Sequence, residues 1–149
     1  SWRPPKPPRP AHELALEALA RLERSPLLER GEVKEFHIQA SEILRIYVED
    51  RFGVPALEMT TMDITGGLRR AEVDPSFVAG LDSFLRQCDI VKFAKHRPSS
   101  EASMEVLALG RTLVENTIPV LVDDSEAQPY VEGTPGGAAV EEEIEEASV

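Results

Sequence analysis

Aromatic residues are scarce in this sequence, with five Phe, two Tyr and one Trp making 5% of 149 residues. Cysteine is scarcer still: Cys88 stands alone. One thiol cannot close an internal disulfide, so the chain is not a disulfide-stapled secreted scaffold. No run approaches the roughly 18–20 apolar residues that cross a bilayer, so these residues hold no membrane span. A phosphate loop is missing too, because Gly66-Gly67 has no strand before it and no Lys-Ser/Thr after it. What is present is a 42% hydrophobic content, too high for a wholly disordered chain. The length suits one ordinary domain.

The net charge of −11 is unevenly spread. Residues 1–10 carry Arg3, Lys6 and Arg9, no acid, and five of the 12 prolines. They read as a basic, extended, proline-rich linker. Residues 11–117 are mildly acidic, at −5. Residues 118–149 hold nine acids and no base, with Gly133, Gly136, Gly137 and the run Glu141 to Glu143. Such a segment has little to bury and is expected to be a disordered acidic tail.

Between these ends the apolar residues recur at spacings of three and four, which predicts an all-α fold, a compact bundle of about five helices. The first helix covers about 11–24 and stops before Pro26, since the residue ahead of a proline is pushed out of helical geometry. The second covers about 31–52 and ends at Gly53. The third is short, about 61–70, opened by a Thr60/Asp63 capping box and weakened by Gly66 and Gly67 at roughly 1 kcal/mol each. The fourth opens on Asp74-Pro75, an N-cap with proline at the first helical position, and runs to about 95. The fifth follows Pro98, with Ser99 or Ser100 as its cap, and runs to about 116. Phe36, Tyr47, Phe52, Phe77 and Phe84 are the expected aromatic core, since buried faces supply most helical stability.

No catalytic, cofactor-binding or metal-binding residues can be nominated. His12, His37 and His96 fall in three different helical regions with no metal-ligand spacing. His12-Glu13 starts like a zinc-protease helix, but the second histidine position is Leu16. His37 reads as a satisfied histidine beside an apolar face. Cys88 reads as a small buried hydrophobe, with Asp89 beside it to disfavour a thiolate. Glu42 with Arg45 has the spacing of an ion pair on a solvated helix face. One cluster remains, Lys92, Lys95, His96 and Arg97 around Phe93. It can be cations placed at the end of the fourth helix, each worth about 0.3–1 kcal/mol, or a patch for an acidic partner, either a protein surface or this chain's own acidic tail. Nucleic acid fits poorly, because the domain lacks a broad basic footprint.

Three stretches carry a family resemblance: RPAHELALEALARL at 9–22, GEVKEFHIQASEILRIYVEDRFGVPALEMTTMDI at 31–64, and DIVKFAKHRPSSEASMEVL at 89–107. Together they resemble the cytoplasmic helical region of BatD-like membrane proteins of aerotolerance (Bat) operons, which accompany MoxR-type AAA ATPases and von Willebrand factor A domain proteins. Gly66-Gly67 departs from the helix-forming residues that the resemblance would place there. The resemblance implies a transmembrane helix just upstream of Ser1, with Trp2 near the lipid interface and Arg3, Lys6 and Arg9 as its positive-inside flank. It implies a domain on the cytoplasmic side of the bacterial inner membrane, and it brings no catalytic or cofactor residue.

The function expected from these readings is a non-enzymatic protein-interaction module that docks a MoxR-type ATPase or a von Willebrand factor A protein, with Lys92, Lys95, His96 and Arg97 as candidate docking residues. No nucleic acid, small-molecule substrate or cofactor is expected. Two alternatives are a helix-turn-helix DNA-binding regulator built on the third and fourth helices, with Arg69 and Arg70 as its cations, and an enzyme with an unrecognised site.

Overall fold

A computed structural model describes residues 8–120. The expectations for the lead before Pro8 and the tail after Val120 lie outside these residues. The described residues form five α-helices and one 3₁₀ turn, with no strand among them. The helices are α1 (Ala11–Glu23), α2 (Val33–Phe52), α3 (Thr61–Arg70), α4 (Pro75–Phe93) and α5 (Ser100–Glu115), with the 3₁₀ turn at Ala56–Glu58 between α2 and α3. The all-α expectation holds, and every expected helix is present. None is long and apolar enough to cross a membrane.

Local chemistry explains where the helices begin. Asp74 accepts from the Ser76 N–H at 3.0 Å ahead of Pro75, and Ser99 accepts from the Ala102 N–H at 3.0 Å. Each bond satisfies a donor that the first turn leaves free. Thr60 Oγ1 accepts from the Asp63 N–H at 3.1 Å, so the expected capping box is half formed.

Two chain reversals close in the same way, and a third shares their left-handed corner. After α3 the Val73 N–H donates to the Leu68 carbonyl and the Glu72 N–H to the Arg69 carbonyl. That pair of bonds is a Schellman motif, which needs a left-handed residue at its corner. Glu72 fills the corner at φ 60°. The single turn at 26–31 closes likewise, with Glu32 N–H to Leu27, Gly31 N–H to Leu28, and Gly31 at φ 75°. Beyond α4, Lys95 takes φ 58°, again without glycine.

The core forms where α2 packs against α1, α4 and α5, while α3 packs on α4. Phe36, Leu44, Tyr47, Leu81, Phe84 and Leu107 are sealed from solvent, each contributing about 1.5–3 kcal/mol relative to an exposed position. Of the expected aromatic core, Phe36, Tyr47, Phe77 and Phe84 are buried, but Phe52 is only half-buried. It is the last residue of α2, with its ring 5.3 Å from Phe77 and the Arg51 guanidinium 4.8 Å from its centroid. The buried Tyr47 hydroxyl meets Thr117 Oγ1 at 2.7 Å, and Arg51 Nε donates to the Thr117 carbonyl at 3.0 Å. These bonds tie the end of α5 to α2. Across the other side, Arg111 pairs with Glu23 at 2.7 Å and joins α5 to α1.

Glycine sets how closely α5 approaches its neighbours. A Cβ at Gly110 would lie 2.9 Å from Phe84 Cε1 and 3.2 Å from Leu44 Cδ2. One at Gly80 would lie 2.6 Å from Leu113 Cδ2. The missing side chains let Phe84 and Leu113 fill the contact.

Candidate partner-binding corner and cleft

The last turn of α4 carries Ile90, Val91, Lys92 and Phe93. Val91 is buried, while Ile90 and Phe93, three apart on one face of the helix, are 49% and 76% exposed. Lys92 Nζ stands 5.3 Å from the Phe93 ring centroid, in range of a cation–π contact. Lys95, His96 and Arg97 follow in the connection to α5 and are all exposed.

Phe93 and Lys92 stand on one wall of a cleft of about 610 Å³. The opposite wall is α2, through Ile38, Ser41, Glu42 and Arg45. The segment from Leu57 to Thr61 closes it, and Asp89 joins Lys92 and Phe93 on α4. Lys95, His96 and Arg97 do not line this cleft. The predicted cluster is therefore divided, with one cation on the cleft wall and three groups on the corner beyond.

Arg45 organises the cleft floor. Its Nη1 donates to the Ala56 carbonyl at 2.9 Å and to the Met59 carbonyl at 2.5 Å, and its Nε donates to Ser41 Oγ at 3.2 Å. The expected ion pair with Glu42 is not formed. The guanidinium instead fastens the 3₁₀ turn to α2 through charge-assisted bonds to two of its carbonyls, of which that of Ala56 also accepts the Met59 N–H. Thr61 Oγ1 donates to Asp89 Oδ2 at 2.7 Å, which pins the start of α3 to α4. Glu42 and Glu58 complete the carboxylates of the lining. The cleft lining thus holds Glu42, Glu58 and Asp89 beside Arg45 and Lys92, while the corner outside it is cationic.

His37 and Cys88 are both sealed from solvent. The His37 Nδ1 meets the Val33 carbonyl at 2.9 Å, while Nε2 is buried without a hydrogen-bond partner among the described residues. Burial lowers the His37 pKa below its usual 6.5, the Val33 carbonyl works against that, and His96 lowers it further. Nδ1 then carries the proton, and the neutral ring is half satisfied rather than fully satisfied as expected. Burial pushes the Cys88 thiol up to about 12, with Asp89 adding to the shift. A thiol so held is a packing group. Among the described residues no three His, Cys, Asp or Glu side chains are placed to hold a metal ion.

Arg45 as a clamp, the 3₁₀ turn and the cleft itself were absent from the sequence reading. The Pro55 following Gly53-Val54 was the one available signal of an irregular connection. Compared with known proteins, the chain matches no family, no curated protein and no solved structure.

Proposed function

We propose that the helical domain is a non-enzymatic protein-interaction module that docks its partner at the α4 corner. The observation that carries this reading is Phe93. A 76% exposed phenylalanine, with a lysine beside its ring, stands at the edge of a concave cleft. Exposing a large aromatic forfeits about 1.5–3 kcal/mol of burial, and aromatic anchors recur at the energetic centres of protein interfaces. Leu57 and Ile90 add exposed apolar surface nearby in the fold.

The partner class comes from the resemblance to BatD-like cytoplasmic regions, which points to a MoxR-type AAA ATPase or a von Willebrand factor A protein. In that setting the domain stands on the inner face of a bacterial membrane, carried by a transmembrane helix ahead of Ser1. Arg9 contributes less to a basic membrane flank than the sequence suggests, because its guanidinium is paired with Glu13 and Glu17 of α1. The helix-turn-helix alternative has weaker support, since Glu72 and Asp74 lie in the turn that follows Arg69 and Arg70.

The test is a calorimetric titration of the chain with each purified partner class. Binding of either one, reduced by Phe93→Ala, supports the module. Binding of neither counts against it.

A further inference from the structure

We infer that the corner and the cleft form one continuous site for a linear peptide segment of a protein partner, acidic at one end and carrying an apolar anchor. This inference rests on the docking reading above and names the chemistry of the occupant. Three fixed cations, Lys92, Lys95 and Arg97, lie within six residues around Phe93, and none of them is in an ion pair with a described residue. Carboxylates of a partner are the groups that complement them. Phe93 shares the cleft lining with Leu57 and Met59, which offers an apolar side chain a place to leave water. Glu42 and Glu58, both exposed, also belong to the cleft lining. Charge therefore changes sign along the site, and the complementary segment reads acid, anchor, then a neutral or basic residue.

A membrane surface suits this arrangement less well. A plane of anionic headgroups cannot fill a concave cleft, and it would meet Glu42 and Glu58 as well as the corner. A peptide can follow the change of sign. The Arg45 guanidinium is already committed to Ala56, Met59 and Ser41, so it holds the floor rigid instead of recruiting the ligand. A preformed floor lowers the ordering cost of binding.

The experiment titrates the full chain into a fluorescein-labelled decapeptide with three glutamates, then leucine, then a terminal lysine, read by anisotropy. Saturable binding is expected, weakened at least about tenfold by Phe93→Ala and likewise by the double variant Lys95→Glu/Arg97→Glu. Replacing the leucine by serine, or the glutamates by lysines, is expected to weaken binding by a similar factor. Thermal melts of the variants check that these exposed substitutions leave the fold intact. Absence of saturable binding, or binding indifferent to both variants, overturns the inference. So does association with phosphatidylglycerol vesicles, or self-association in sedimentation, that the same variants abolish while the peptide does not bind. Failure of the module reading is separable. If a purified partner binds the chain and the corner variants alike, the module stands and the peptide site falls. If the peptide binds as expected but neither partner class does, the site stands and the partner assignment falls.

Discussion

The ring of His37 has one nitrogen on the Val33 carbonyl and the other buried without a partner among the described residues, and this makes the domain sensitive to acid. The unfolded chain takes up the imidazole proton near the usual 6.5, the folded chain only at lower pH. Between those values the unfolded state binds more protons, so stability falls as pH drops below about 6.5 and keeps falling until the folded ring protonates. The urea midpoint is expected to decline between about pH 7.5 and 5.5, and His37→Leu is expected to flatten that decline. An equal decline in the variant would place the sensitivity elsewhere. Cys88 gives a second residue-level expectation. Its sealed thiol should resist Ellman's reagent in the native chain and react only as fast as the chain opens, so added urea should accelerate labelling in step with unfolding. Both side chains were legible as core residues from their place on apolar helix faces. The orphaned Nε2 was not, because sequence spacing says nothing of what stands opposite a ring.

Helix ends and helix contacts hold the next set of consequences. Glu72 and Lys95 occupy left-handed corners at φ 60° and 58°, where a β-carbon crowds the backbone. Glu72→Gly and Lys95→Gly are each expected to stabilise the fold by about 0.5–1 kcal/mol, the relief of strain exceeding the added freedom of the unfolded chain. Urea denaturation reads this directly. Gly110→Ala is expected to act the other way. The new methyl would meet Phe84 and Leu44, and overpacking outweighs the gain in helix propensity by about 1–2 kcal/mol. The helices themselves were readable because their faces repeat over many residues and their caps use the expected side chains. Asp74-Pro75, Ser99 and Gly53 all stand where the sequence placed them. The 3₁₀ turn was unreadable because three residues show no period. The corners at Glu72 and Lys95 were equally hidden, since neither carries the glycine that marks such a turn. The glycines that looked like a weakness in α3 sit inside an unbroken helix, supported by the burial of Ile64, Thr65 and Leu68.

At the scale of the whole molecule, the division of charge seen in the sequence acquires a place. The mildly acidic helical domain concentrates cations at one corner, in no ion pair among the described residues, and that corner adjoins a cleft lined also by Glu42, Glu58 and Asp89. The cluster was visible as a run of Lys, His and Arg around Phe93. The cleft was not, because its walls come from segments some fifty residues apart, Ile38 to Phe93, and because Arg45 looked like half of a surface ion pair. On the proposed function, partner proteins meet this domain at the Phe93 corner. Amide chemical-shift mapping of the isotope-labelled full chain, with the purified MoxR-type ATPase or von Willebrand factor A protein added, tests it most directly. Perturbations are expected to concentrate at Lys92 to Arg97 and at Leu57 to Thr61 of the cleft lining, and to be lost in the Phe93→Ala chain. Perturbations confined to the outer face of α1, or none at all with either partner, would contradict this reading.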